Sequence, residues 1–177
     1  VTVWNQSHSV MANGSGLAGN ASTSQSSIIV KKPGSSNLYY LFTLDIPGLI
    51  TNGFSYSIID MSLSSGQGSV TTLNSSVYAS SCAEKLTATR HSNGIDVWVV
   101  VHELNNSNFR AYLLTATGLN TTAVVTAIGN SESGYAIGCM KISPTGKKLA
   151  YVCNPIMQMF DFDNSTGVVS NSLSLIS

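Results

Sequence analysis

The residues of this chain best equipped for chemistry crowd into one stretch, where Arg90, His91, Asp96, Trp98, His102 and Glu103 fall between positions 90 and 103. Histidine titrates near neutrality and a neighbouring carboxylate can orient it, so such a set could serve as a metal site or as the acid–base pair of a glycan-active enzyme. The spacing argues for a quieter role. Along a strand, side chains alternate between faces, which puts Asp96, Trp98, Val100 and His102 on one side and Glu103 on the other. His102 and Glu103 therefore do not converge on one ligand. A His91 ending one strand opposite an Asp96 opening the next suits a hydrogen-bonded pair that pins a hairpin beside a buried Trp98. The expectation is a structural polar cluster of His91, Asp96, Trp98 and His102, with no catalytic residue and no enzymatic activity.

Two further constellations bear on chemistry. Asp161 and Asp163, followed by Asn164, Ser165 and Thr166, make an oxygen-rich run before Gly167, a weak candidate for calcium. Relative to the helix-loop-helix calcium pattern the glycine falls one place late and no glutamate stands at the twelfth position. A hairpin turn held by side-chain-to-backbone bonds explains the same residues, and no metal or other cofactor is expected. Cys139 and Cys153 lie symmetrically about Gly146. A hairpin centred there would set them nearly opposite, which leaves two options, a disulfide or two buried thiols. Cys82 has no partner in a recognisable nucleophile motif.

The elements that must position these residues are strands. Gly, Asn and Ser interrupt the chain every eight to twelve residues or so, and β-branched and aromatic clusters fill the gaps. Strands are predicted at 28–31, 38–45, 54–63, 85–91, 95–103, 109–117, 123–128, 137–143, 148–153 and 157–162. Three segments, 28–41, 88–100 and 140–152, share the order strand, Gly turn, aromatic-bearing strand. Their glycines, Gly34, Gly94 and Gly146, recur at intervals of 60 and 52 residues. About four strands in a period of roughly 50 to 60 residues is the arithmetic of β-propeller blades. Burial on both faces would also explain why 97–101 is continuously apolar rather than alternating. The fold class is all-β, a partial β-propeller, with a β-sandwich as the alternative.

The segments Asn-Gly-Ser-Gly-Leu-Ala-Gly-Asn-Ala-Ser-Thr-Ser-Gln-Ser-Ser-Ile-Ile-Val-Lys-Lys-Pro-Gly-Ser (13–35), Glu-Lys-Leu-Thr-Ala-Thr-Arg-His-Ser-Asn-Gly-Ile-Asp-Val-Trp-Val-Val-Val-His-Glu (84–103) and Lys-Ile-Ser-Pro-Thr-Gly-Lys-Lys-Leu-Ala (141–150) resemble the propeller region of large secreted surface proteins of gliding bacteria. Those proteins are labelled gliding-motility-associated and carry a C-terminal type IX secretion sorting domain. The resemblance implies about three and a half four-stranded antiparallel blades. Residues 1–22 would be the outer strands of an incomplete blade, followed by blades at 23–81, 82–130 and 131–177. It also implies an extracellular or bacterial cell-surface location. Propellers close with four or more blades, so the chain is expected either to be the remainder of a longer one or to complete itself as a homo-oligomer, in a ring or a filament.

Composition narrows the partners. Eight basic and eight acidic residues give a net charge of zero, and no Lys/Arg run provides the footprint of a nucleic-acid binder. The longest purely apolar run, 97–101, is far short of a membrane-spanning helix. Polarity resides instead in 29 Ser, 15 Thr and 15 Asn. These observations favour a non-catalytic binding or structural module that adheres to another protein or a glycan surface. Contacts made by amides and hydroxyls are expected to vary little with salt. The alternatives are a subunit that assembles into filaments through open blade edges and a glycan-active enzyme.

Overall fold

Gly34, Gly94 and Gly146 adopt almost the same left-handed φ, 71°, 73° and 72°, a conformation that a β-carbon disfavours. Each turns the first strand of a sheet into the second. In the computed structural model, which describes residues 1–47, 53–131 and 137–176, the described residues are all-β, with a single one-turn 3-10 helix at Ser64–Gly66. The first sheet is the meander β1 (Ser27–Lys31), β2 (Leu38–Leu44), β3 (Phe54–Asp60), β4 (Ser69–Tyr78). The second comprises β5 (Cys82–Arg90), β6 (Val97–Glu103) and β7 (Asn108–Thr115). Two short strands, β8 (Gly118–Leu119) and β9 (Val124–Ala127), pair with opposite ends of β7 and share the fourth position. The third is β10 (Gly138–Ile142), β11 (Lys148–Cys153), β12 (Ile156–Asp163), β13 (Val168–Ile176). Every pairing between these strands is antiparallel and none of the three sheets closes on itself.

The sheets stack face to face with the second in the middle. Val99 and Val101 of β6 meet Phe42, Leu44 and Phe54 of the first sheet, while Trp98 and Val100 meet Met140, Leu149 and Phe160 of the third. Val99, Val100 and Val101 are all fully buried, each contributing about 2 kcal/mol of apolar burial. A strand covered on both sides has no solvent face, which is why 97–101 does not alternate. The three stacked antiparallel sheets, open at their edges, fit a partial propeller or a β-sandwich alike.

Two long strands carry no clear signal in the sequence. β4 and β13 are the outermost strands of their sheets, rich in Ser, Thr and Asn, and mostly exposed or half-buried. Neither face of β13 beyond Val169 is covered enough to require an apolar pattern. Register shifts break the regular pairing of both with their neighbours.

Residues 1–22 form no ladder. They make isolated bridges, Trp4 with Val10 and Ala12 with Ser69, and lay Met11 and Leu17 on Leu41, Ile59 and Val70. They cover the outer face of the first sheet. The corresponding face of the third sheet is open: Val152 and Leu173 are 37% and 57% exposed.

Candidate functional site

The first strands of the sheets, β1, β5 and β10, lie side by side, and their inner edges determine what can bind at the centre of the stack. Register shows which backbone groups face inward. Lys32 N–H donates to the Leu38 carbonyl, His91 N–H to Asp96 and Ser143 N–H to Lys148. Counting back by twos, Ile29 and Lys31 on β1, Leu86, Ala88 and Arg90 on β5, and Met140 and Ile142 on β10 turn their amides away from their own partner strands.

At one end this gap is filled by the chain. Gln25 Oε1 accepts from the Met140 N–H at 2.8 Å and the Leu86 N–H at 3.4 Å, and its Nε2 donates to the Met140 carbonyl at 3.3 Å. Beside it, Glu84 Oε2 accepts from Ser24 N–H at 2.7 Å and Ser24 Oγ at 2.9 Å. Thr87 Oγ1 accepts from the Ile142 N–H at 3.3 Å.

At the other end the gap is open. Two clefts of about 520 Å³ and 490 Å³ flank the second half of β5 and share Ala88 and Thr89. The first lies between β1 and β5 and is lined by Lys31, Lys32 and Arg90; the second runs onto β10 and is lined by Lys141 and Lys148. Five of the chain's eight basic residues thus line the two clefts, and no Asp or Glu lines either. Two of the five have partners of their own. Lys148 bonds to Asp161, and the Lys31 ammonium lies 5.9 Å from the centre of the Tyr39 ring. Lys32 follows β1 and Arg90 ends β5, so the first cleft carries one of these cations on each of its two sides. The neutral total charge gave no hint of this segregation.

The polar cluster of the second sheet is distributed by the same alternation. His91 Nδ1 accepts from the Asn93 N–H at 3.0 Å and its Nε2 lies 3.1 Å from the Ser165 carbonyl. Its ring sits 5.8 Å from Trp98, whose indole N–H donates to the Asn164 carbonyl at 3.0 Å. His91 and Trp98 therefore tie the second sheet to the β12–β13 turn of the third. The Asp96 carboxylate accepts from Asn93 Nδ2 at 2.8 Å, so Asn93 stands between His91 and Asp96, which meet only through the backbone. His102 is remote from all of these. It is buried between Phe109 and Tyr151, with ring centres at 4.6 Å and 5.0 Å, and bonds the Glu103 carbonyl at 2.7 Å through Nδ1, which must carry the proton. Burial, with a smaller contribution from the nearby Lys85 ammonium, pushes its pKa down to about 4, so the imidazole is neutral at physiological pH.

Glu103 lies on the opposite face of β6 with Arg110, Asn106 and Asn108. Burial alone would raise its pKa, but the two amide donors and the guanidinium outweigh that and hold the carboxylate below its ordinary range. Arg110 in turn stacks on Tyr78 at 4.0 Å, joining the second sheet to the last strand of the first.

The cysteine pairing is corrected by register. Cys139 pairs with Val152 and Gly138 with Cys153, one position away from the symmetry about Gly146. A one-residue offset reverses the face, so Cys139 is exposed on the outer side and Cys153 buried on the inner one, and no disulfide joins them. Asp161 bonds Lys148 and Asn171, while Asp163 accepts from the N–H and Oγ of Ser165 at 2.8 Å and 2.6 Å. These are cross-strand and turn contacts, and no group of three or more His, Cys, Asp and Glu able to hold a metal occurs among the described residues.

Gln25, Glu84 and the cationic clefts were not singled out from the sequence. Nothing distinguishes Gln25 from the abundant neutral polar residues around it. The basic residues did carry a signal, since Lys31-Lys32, Arg90 and Lys147-Lys148 recur at equivalent turns of the three repeats.

No family model and no curated protein matches this chain. Among solved structures it is similar to an auxiliary nutrient binding protein from Bacteroides thetaiotaomicron, with a TM-score of 0.46, 14% identity, and coverage of 82% of this chain and 30% of that one.

Proposed function

We propose that this chain is a non-catalytic binding module of a secreted or surface-displayed protein, and that it holds its partner, a protein or a glycan, at the paired clefts on β5. The observation that carries this reading is the gathering of five cations, one of them paired with Asp161, along two adjoining clefts whose linings hold no carboxylate, in a chain with no net charge. A surface with evenly mixed charges would not concentrate one sign in this way, and a cleft of one sign raises the local concentration of an oppositely charged partner. The non-catalytic reading rests on how the chemically capable side chains are used. His91 has contacts at both ring nitrogens, Asp96 is held by Asn93, and His102 is buried among aromatic rings. The placement outside the cell rests on the resemblance of 13–35, 84–103 and 141–150 to type IX-secreted, gliding-motility-associated proteins.

The test is an array of neutral and acidic glycans and peptides probed with the intact chain and with Arg90→Glu. Binding to at least one probe class that weakens in the variant is expected. Binding that is indifferent to Arg90, or absent from every class, would reject the cleft as the binding surface.

A further inference from the structure

We infer that the partner held in the first cleft is an extended acidic peptide, which adds to the inner edge of β5 through its backbone and meets Lys32 and Arg90 with its side-chain carboxylates. This deepens the proposed function and rests on it.

The inner edge of β5 presents backbone groups at Leu86, Ala88 and Arg90, spaced about 7 Å apart along the strand. The chain itself shows what satisfies such an edge. At Leu86 the partner is the side-chain amide of Gln25, which bonds β5 and β10 together and stands where a peptide group of an added strand would stand. Beyond it the filling stops. Register turns the Ala88 N–H and carbonyl and the Arg90 N–H toward the first cleft; the Arg90 carbonyl already accepts from Asn164 Nδ2 at 3.4 Å. A strand edge with free alternate groups is a template for an incoming extended chain, whose main-chain bonds give affinity while side-chain pockets give selectivity. The side chains flanking this edge are Lys32 and Arg90, on the two facing sides of the cleft, with no carboxylate in the lining. An Arg guanidinium pairs bidentately with a carboxylate. Exposed strand edge and cationic flank together select an acidic peptide over a glycan, which has no backbone amides to continue the ladder.

The experiment measures fluorescence anisotropy of a labelled Ser-Glu-Val-Glu-Val-Glu-Ser peptide with the intact chain. Its Gln counterpart and a version N-methylated at the central residues are compared, with an oligogalacturonate as the acidic glycan. The acidic peptide is expected to bind, with a loss of about tenfold or more on each of three changes: Glu to Gln throughout, backbone N-methylation, and Arg90→Glu or Lys32→Glu in the protein. Lys147→Glu, outside both clefts, is expected to leave binding unchanged, and matched thermal melts exclude misfolding of the variants. Equal binding of the N-methylated peptide overturns edge addition. Oligogalacturonate binding with the same Arg90 dependence and no peptide binding overturns the peptide in favour of an anionic glycan. Binding of neutral probes alone overturns the acidic requirement while leaving the binding-module reading intact, and no binding by any probe overturns both.

Discussion

Gln25 Oε1 accepts the Met140 backbone N–H at 2.8 Å across a sequence separation of 115 residues. The same side chain reaches the Leu86 N–H and returns a bond to the Met140 carbonyl, so one neutral amide joins the start of the first sheet to the inner strands of the second and third. Inner strand edges are otherwise a liability for any stack of open sheets.

Replacing Gln25 with Leu would leave the Met140 and Leu86 groups without their partner in a half-buried place. A loss of about 1–3 kcal/mol is expected, seen as a lower denaturant midpoint with an unchanged slope. A Gln25→Leu chain that unfolds at the wild-type midpoint would show that water replaces the amide without cost and that the bridge is incidental.

His102 predicts an acid sensitivity of definite sign. Its imidazole titrates at about 4 in the folded chain and near 6.5 when exposed, so the unfolded state takes up the proton first as pH falls. The stability it contributes is full above about pH 6.5, declines through the interval, and is lost once pH falls through about 4, a change of about 3 kcal/mol at most. Glu103 and Asp161, both held below their ordinary range, lose their contributions at lower pH. His102→Phe, which keeps an aromatic ring against Phe109 and Tyr151, is expected to flatten the stability profile between pH 6.5 and 4.5. An unchanged slope in that variant would assign the acid sensitivity elsewhere.

The three thiols should react unequally. Cys139 is exposed, whereas Cys82 and Cys153 are buried, and burial with the nearby Glu103 charge pushes the Cys82 pKa up to about 12. Alkylation of the native chain by iodoacetamide at pH 8, followed by intact mass measurement, should add one group, mapped to Cys139, and three after denaturation. Failure of the denatured, unreduced chain to take up more than one group would reveal a Cys139–Cys153 disulfide and overturn the observed register.

The order of strands in the inner part of each sheet was legible because the physics there is local. Gly34, Gly94 and Gly146 each need a left-handed turn, and 97–101 has no polar position because both of its faces are covered. The alternation of Trp98, Val100 and His102 against Glu103 was equally legible, since a strand's period of two is a property of its backbone. The outer strands β4 and β13 were not legible because half-exposed edges tolerate Ser and Asn and leave no pattern to find. Residues 1–22 carry Val3, Met11 and Leu17, apolar enough for strands, and bury them against the first sheet. Cys139 and Cys153 show the limit most sharply, since symmetry about Gly146 in the sequence is one residue removed from the register of the ladder, and one residue exchanges the two faces. By itself the sequence determined an all-β chain of repeated Gly-turn meanders with almost no spare charge. Only the tertiary structure decided where that charge stands, because the basic turns of separate repeats become neighbours when β1, β5 and β10 are brought side by side. It also decided that Gln25 closes one end of their inner edges and leaves the other end open.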